Sequence, residues 1–171
     1  KAQMHISTTG TEINTNMLWD SWTTLRAKNI FNYLKEMNLE INEELGLPVR
    51  WEYAKGRGLK SEDIHRSLGQ RHECRMIVEK LFKQYDFLAI PSAQVFPFDK
   101  DIEYPDQISN FSLDTYHRWM EVVILPSLLG LPTISVPVGF NKNGLPMGMQ
   151  IIGKKGDDLK VISFAKKYEN I

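Results

Sequence analysis

The feature that most constrains this chain is a run of twenty residues without a charged side chain, Val122 to Asn141. Its length matches that of a membrane-spanning helix. The run nevertheless contains Pro126, Pro132 and Pro137, and three prolines so close together would leave several backbone groups without partners in lipid. A buried strand with flanking turns explains the same residues better. The run therefore predicts a core strand of a globular domain and no contact with a membrane.

The dipeptide Asn143-Gly144 follows this run and predicts a two-residue β-hairpin turn, because both turn positions need positive φ. With that turn, the bulky side chains of the two strands fall on one face of the sheet and mostly small ones fall on the other. The pairs expected are Phe140 with Met147, Val138 with Met149, and Val136 with Ile151. The small face would allow another element to approach the backbone closely.

Periodicity and turn residues predict the other elements. The predicted helices are Asn14–Met37, Ser61–Tyr85 with Ser61 as N-cap, Leu113–Leu125 and 156–168. The predicted strand is 85–92, and the predicted loops are Asn38–Lys60 and Ser92–Ser112. This mixture indicates an α/β fold and a single domain over residues 1–171, with residues 1–13 expected to be flexible. Three strands make a small sheet for so many apolar residues, so we expect an incomplete sheet.

Charge and cysteine content exclude several classes of function. Lysine plus arginine and aspartate plus glutamate number 21 each, so the chain lacks the positive field of a typical nucleic-acid binder. Its most basic stretch, 50–60, includes Glu52 and is interpreted as a solvated loop. One cysteine permits no intrachain disulfide and fits a reducing compartment, and no signal-peptide core is visible. We therefore expect a cytoplasmic protein.

The cysteine and the histidines of the second predicted helix indicate no reactive or metal site. Cys74 lies on the apolar stripe with Val78, where core packing is expected rather than a reactive thiol. His65 and His72 are seven residues apart, too far for a helical metal pair, and no third ligand stands out. We expect neither a metal nor a cofactor.

Several motifs resemble the C-terminal part of the amidase signature family. The most specific is the pair GLPTISVPVGF and GLPMGMQIIG, in which length, order and glycine positions all match the family. YDFLAIPSAQVFPFD, TYHRWMEVVI and DDLKVISFAKKYE are similar as well, and the resemblance continues upstream through LWDSWTTLRAKN and WEYAKGRGLKSEDI. It implies part of a mixed-sheet α/β/α fold with flanking helices.

The resemblance also implies what this chain lacks. The family hydrolyses amides with a Ser–cis-Ser–Lys triad, in which the lysine acts as base, a serine relays the proton and backbone N–H groups stabilise the oxyanion. The two serines lie in a Gly/Ser-rich segment, and no such segment or serine pair occurs here. No catalytic residue is carried over, and we expect this chain alone to be an inactive portion of a longer amidase. Ser127 and Ser135 are interpreted as structural.

The resemblance implies that this portion contributes part of the acyl-group pocket. Gln94 and Phe96, just after the strand that ends at Pro91, are the first candidates for substrate binding. Gln94 could hydrogen-bond a substrate carbonyl or a neighbouring loop. Tyr116, Trp119 and Met120, which precede the charge-free run, are the second candidates. For each aromatic side chain, core packing is the competing interpretation.

Three functions stay open at this point. Trp119 and Met120 stand near the place where the amidotransferase branch would carry an acidic residue, with Glu121 one position away. They suit an apolar or aryl acyl group, which favours a simple amidase acting on a small-molecule amide. The alternatives are the A subunit of a glutamyl-tRNA amidotransferase and a non-catalytic binding or scaffold module. An unpaired sheet edge would also make a homodimer possible.

Overall fold

The computed structural model describes residues 5–10 and 13–170. Its helices are α1 Thr15–Glu36, α2 Leu47–Gly58, α3 Ser61–Leu81, a 3₁₀ helix Arg118–Val123, α4 Ile124–Leu129 and α5 Asp158–Tyr168. Its strands are β1 Leu88–Pro91, β2 Gln107–Ile108, β3 Phe111–Ser112, β4 Thr133–Phe140 and β5 Pro146–Ile152. The expected flexibility of residues 1–13 stays a prediction, and residues 1–4, 11 and 12 lie outside the described residues. No described helix has both the length and the apolar character that a membrane crossing requires.

The second helix corrects the sequence interpretation, because Leu47–Gly58 is helical and not part of a loop. Pro48 lies in the first turn, where its missing N–H costs no hydrogen bond. Gly56 faces α1 so closely that a Cβ there would meet the Ala27 carbonyl oxygen and, at 2.6 Å, the Phe31 Cβ. The glycine that looked like a helix breaker is thus the contact point between two helices.

The helices predicted at 14–37 and 61–85 are present with small shifts at their ends. The Oδ1 of Asn14 accepts a hydrogen bond from the Met17 N–H at 3.2 Å and caps α1. The N-cap of α3 is Lys60 and not Ser61, and the Asp63 carboxylate accepts from the Lys60 N–H at 3.0 Å. The helix ends at Leu81. Cys74 is fully buried, as its place on the apolar stripe predicts.

The central sheet has three strands in the order β1-β5-β4, and all pairs are antiparallel. The hairpin is present, but its predicted register is wrong. Val136 pairs with Met149, Ile134 with Ile151, Gly139 with Met147 and Phe140 with Pro146. A bulge between Pro137 and Gly139 inserts an extra residue, Val138. The turn is also longer than two residues, because the Asn141 Oδ1 accepts from the N–H groups of Asn143 and Leu145.

Helices cover both faces of this sheet. Val136 and Ile151 are buried on one face with Ala165 of α5. Ile152 is buried on the other face, in a core with side chains of α1, α3 and α4 such as Leu18. The bulge leaves Val138 and Phe140 exposed rather than buried, which corrects the expected bulky face. The α/β/α layering and the small, partial sheet are as predicted.

The segment predicted as one helix, 113–125, is broken. It contains the 3₁₀ helix, in which Met120 has non-helical angles, and α4 starts only at Ile124. Pro126 explains the restart, because proline lacks an N–H and fits only the first turn of a helix. Gly130 ends α4 in the left-handed conformation at φ 64°. The predicted loop 92–112 also contains the small hairpin of β2 and β3.

Candidate substrate groove

A concavity of about 270 Å³ lies beside the start of β5, and we call it the Trp119 groove. It is formed by the segment after β1, the 3₁₀ helix and the beginning of β5. Its lining residues are Ser92, Ala93, Val95, Phe96, Pro97, Phe98, Trp119, Pro146, Met147 and Gly148. None of these side chains is charged, so the groove suits an apolar or aromatic group of a ligand.

A close backbone contact fixes one wall of the groove. The Ser92 N–H donates to the Gly148 carbonyl at 3.0 Å and extends the pairing of β1 with β5 by one residue. A Cβ at Gly148 would lie 2.5 Å from the Ser92 Oγ and 3.0 Å from the Ser135 Oγ. A larger residue at this position would force the Ser92 side chain to move, so the glycine favours the close approach of the chain after β1 to β5. The sequence expectation of a small, closely approached sheet face explains this wall.

Phe96 and Trp119, two of the five predicted substrate-binding residues, line the groove together. Trp119 is positioned by Phe98, whose ring meets it edge-on with centroids 5.5 Å apart. Phe96 and Phe98 keep 40% and 38% of their surface exposed, which is high for core residues and leaves area that a ligand could cover. Substrate binding by these residues stays a prediction.

Gln94 lies outside the groove lining and has a bridging contact instead. Its Oε1 accepts a hydrogen bond from the backbone N–H of Val122 at 3.2 Å. The bond joins the segment after β1 to the 3₁₀ helix that carries Trp119, and therefore fixes the distance between two groove walls. Met120 is partly buried and does not line the groove. A contact of either side chain with substrate stays a prediction.

Tyr116 points away from the groove into a buried polar cluster centred on Glu52. The Tyr116 hydroxyl donates to the Glu52 Oε1 at 2.8 Å, and the Arg26 Nε donates to the same oxygen at 2.7 Å. Glu52 has no exposed surface, and its Oε2 has no hydrogen-bond partner. Burial raises the pKa of Tyr116, and the Glu52 carboxylate raises it further, although the neighbouring Arg26 opposes both. The cluster joins α1, α2 and the segment before Trp119.

His117 completes this cluster and is held neutral. Its ring is 1% exposed and packs among four aromatic rings, those of Trp19, Trp22, Trp51 and Tyr116, at centroid distances of 4.4–5.5 Å. Its Nδ1 lies 2.7 Å from the Thr115 hydroxyl, and its Nε2 lies 3.7 Å from the Glu52 Oε1. Burial, with the nearby positive charges, lowers the pKa of His117 to about 4.

The sequence interpretation missed Glu52 and His117. Glu52 was assigned to a solvated loop, and its partners Arg26 and Tyr116 stand 26 and 64 residues away. No local pattern marks such a pair. The available signal was the aromatic content of the segments around both residues, since Trp51 precedes Glu52 and Tyr116 precedes His117.

The arrangement can bind and orient a ligand, but the groove itself offers no base or acid. Its one side-chain hydroxyl is that of Ser92. The Glu52 cluster contains a carboxylate and an imidazole, those of Glu52 and His117, but both side chains are buried. Within residues 5–10 and 13–170, no group of three His, Cys, Asp or Glu side chains is placed to hold a metal ion.

The chain thus combines a layered α/β fold with an uncharged groove. A model of the family described as Amidase matches residues 7–162. The chain therefore belongs to the amidase signature family. It is 34% identical over 87 residues to the A subunit of the glutamyl-tRNA(Gln) amidotransferase of Borreliella afzelii (strain PKo), an alignment that covers 51% of this chain and 17% of that protein.

Solved structures share the fold. The structure titled as that of an amidase matches with a TM-score of 0.79 at 21% identity, over 92% of this chain and 36% of the other. A bacterial aryl acylamidase of the amidase signature family matches with a TM-score of 0.73 at 22% identity, over 94% and 35%. The chain thus spans about a third of these two structures, and a smaller share of the curated relative.

Proposed function

We propose that this chain is the pocket-contributing, C-terminal portion of an enzyme that hydrolyses a carboxylic amide to an acid and ammonia. A serine nucleophile supplied from outside this chain would form an acyl-enzyme, which water then hydrolyses. The chain's own task is to bind the acyl group in the Trp119 groove. Membership of the amidase family supports the reaction class, and the chain alone is expected to be inactive.

The uncharged, aromatic lining of the Trp119 groove is the observation that carries the substrate class. An aryl or branched apolar acyl group would stack on Trp119 and displace water from Phe96 and Met147. Burial of such a group at about 25 cal/mol per Å² of apolar surface would favour binding. This apolar, aromatic lining matches the character of an aryl acyl group.

The second candidate is the A subunit of a glutamyl-tRNA amidotransferase, since the curated relative carries that name. Glutamine would bring an ammonium group, which needs a carboxylate partner. Glu121 is the nearest acidic residue to Trp119 in the sequence, but its Oε1 lies 3.5 Å from Arg118, and it does not line the groove. Burial raises the pKa of Glu121. The simple amidase is therefore the better supported of the two.

An ammonia-release assay on the gene product that contains this chain would test the reaction. Benzamide and glutamine are supplied in parallel, and the 171-residue chain alone is the control. We expect ammonia from benzamide, little from glutamine, and none from the chain alone. Release from glutamine only would favour the amidotransferase, whereas release from neither substrate would support a binding or scaffold module.

A further inference from the structure

A second concavity, of about 290 Å³, lies far from the Trp119 groove, and we call it the Lys154 groove. It is formed where α3, the end of α4 and the loop between β5 and α5 meet. The Trp119 groove includes residues at the beginning of β5, Pro146 to Gly148. The Lys154 groove includes Lys154 and Lys155, which follow the end of β5 at Ile152. A strand rises about 3.3 Å per residue, so the four residues from Gly148 to the end of β5 place about 13 Å of strand between the two sites.

The floor of the Lys154 groove is apolar. Its apolar residues are Val78 of α3, Phe82 just after the end of α3, Leu129 of α4, and Leu131. These side chains belong to the helical core or pack against it, so they form a fixed surface. A floor of this kind binds a hydrocarbon or aromatic group and gives no preference for any polar group.

The rim of the same groove is cationic. Arg75, Lys83, Lys154 and Lys155 line it, against a single carboxylate, Glu79. None of these five side chains forms an ion pair with another described residue. Four positive charges around an apolar concavity concentrate a positive potential there. The groove therefore offers an apolar surface and an unneutralised positive edge to one ligand.

We propose that the Lys154 groove binds a small amphipathic carboxylate, with its hydrocarbon part on the apolar floor and its carboxylate at the rim near Lys154 and Lys155. The volume fits a single medium-length acyl chain or one aromatic ring, at the lower end of the range for small-molecule sites. The carboxylate would offset part of the repulsion among the four cations. This site is independent of amide hydrolysis and does not rest on the proposed function.

Titration of the 171-residue chain with octanoate tests the site, with backbone amide chemical shifts as the readout. We expect the largest shifts at residues 75–83, 129–131 and 153–156, and weaker binding at high salt. Octanol and octylamine have the same chain length without the negative charge, and both should bind more weakly. Equal binding of octylamine, or shifts confined to the Trp119 groove, would overturn the proposal.

Charge variants distinguish octanoate binding by the rim cations from general attraction of an anion to the positively charged side chains of the protein. Lys154→Gln/Lys155→Gln removes two rim cations, and Lys35→Gln/Lys142→Gln removes two exposed cations elsewhere. At about threefold per partly exposed ion pair, the first variant should weaken octanoate binding about tenfold, and the second should leave it unchanged. Equal loss in both variants would contradict a specific site. A chain that co-sediments with phosphatidylglycerol vesicles but shows no chemical-shift changes with octanoate would bind a lipid headgroup instead. That result would overturn the assignment of a small ligand to the Lys154 groove.

Discussion

Protonation of His117 is expected to destabilise the fold as the pH falls. The His117 ring is buried among aromatic side chains, where a charged imidazolium loses its hydration. The charged groups that face it are Arg26, Lys55, Arg118, Asp114 and Glu52. Burial is the largest cause of the lowered pKa of His117, and the cations Arg26, Lys55 and Arg118 lower this pKa further. Asp114 acts in the opposite direction but is outweighed, and the resulting pKa is about 4.

The size of the effect follows from this lowered pKa. The ordinary histidine pKa of 6.5 applies to the unfolded chain, and the folded chain has a value of about 4. Between these values the unfolded state binds more protons, so the free energy of unfolding decreases as the pH falls. The stabilisation is complete above pH 6.5 and is lost towards pH 4. The pKa difference between the folded and unfolded chain corresponds to about 3 kcal/mol in the free energy of unfolding. About 2 kcal/mol of this is lost when the pH is lowered from 7 to 4.5.

Urea denaturation at pH 7 and pH 4.5 measures this loss. His117→Phe keeps an aromatic ring in the cage but cannot titrate, so it isolates the contribution of His117 from that of the carboxylates. His72→Gln removes an exposed histidine and is the matched control. Between the two pH values, the parent and His72→Gln should each lose about 2 kcal/mol more than His117→Phe. An equal loss in all three proteins would refute the argument that burial depresses this pKa.

Three further predictions concern stability and reactivity. Gly56→Ala should destabilise the chain by about 1–3 kcal/mol in urea denaturation, because its Cβ would overlap α1; Gly58→Ala, which meets nothing within 4 Å, should be neutral or stabilising. A marked loss in both would contradict the contact. Cys74, whose pKa is raised by burial, should react with a thiol reagent only after unfolding; fast native labelling would disprove its core position. Asn14→Ala should cost about 1 kcal/mol through loss of the α1 cap; an unchanged urea midpoint would show that the cap contributes nothing.

Local signals were sufficient for much of the fold. α1, α3, α5 and β1 lie close to their predicted positions because caps, turn residues and apolar spacing are properties of neighbouring residues. The helix α2 was missed because Gly56 and Gly58 looked like breakers. Gly56 is in fact required by the approach of α1, a contact between residues far apart in the sequence. No local pattern contains that information.

The hairpin shows a second limit. Asn143-Gly144 correctly predicted a turn between two strands, but the register depends on the bulge at Val138 and on the side chain of Asn141. The bulge adds a residue to β4, and the hydrogen bonds to the Asn141 side chain lengthen the turn. Each of these changes shifts the pairing between β4 and β5. The exposed Val138 and Phe140 follow from that shift.

The candidate site was predicted in part. Phe96 and Trp119 were selected for their positions beside a strand end and before the charge-free run, and the structure brings them into one groove. Tyr116, chosen on the same grounds, belongs to the Glu52 cluster. The direction of each side chain in this segment is set by the irregular backbone around Met120 in the 3₁₀ helix. The sequence predicted a regular helix there, so it could not separate Trp119 from Tyr116.

The most direct test of the central claim is the Michaelis constant for benzamide in Trp119→Ala, measured on the gene product that contains this chain. Tyr33→Ala is the control, because Tyr33 is an exposed aromatic residue on α1. Loss of one aromatic contact of about 1–1.5 kcal/mol should raise KM roughly tenfold and change kcat little, whereas Tyr33→Ala should match the parent. An unchanged KM in Trp119→Ala would contradict the assignment of the acyl group to the Trp119 groove.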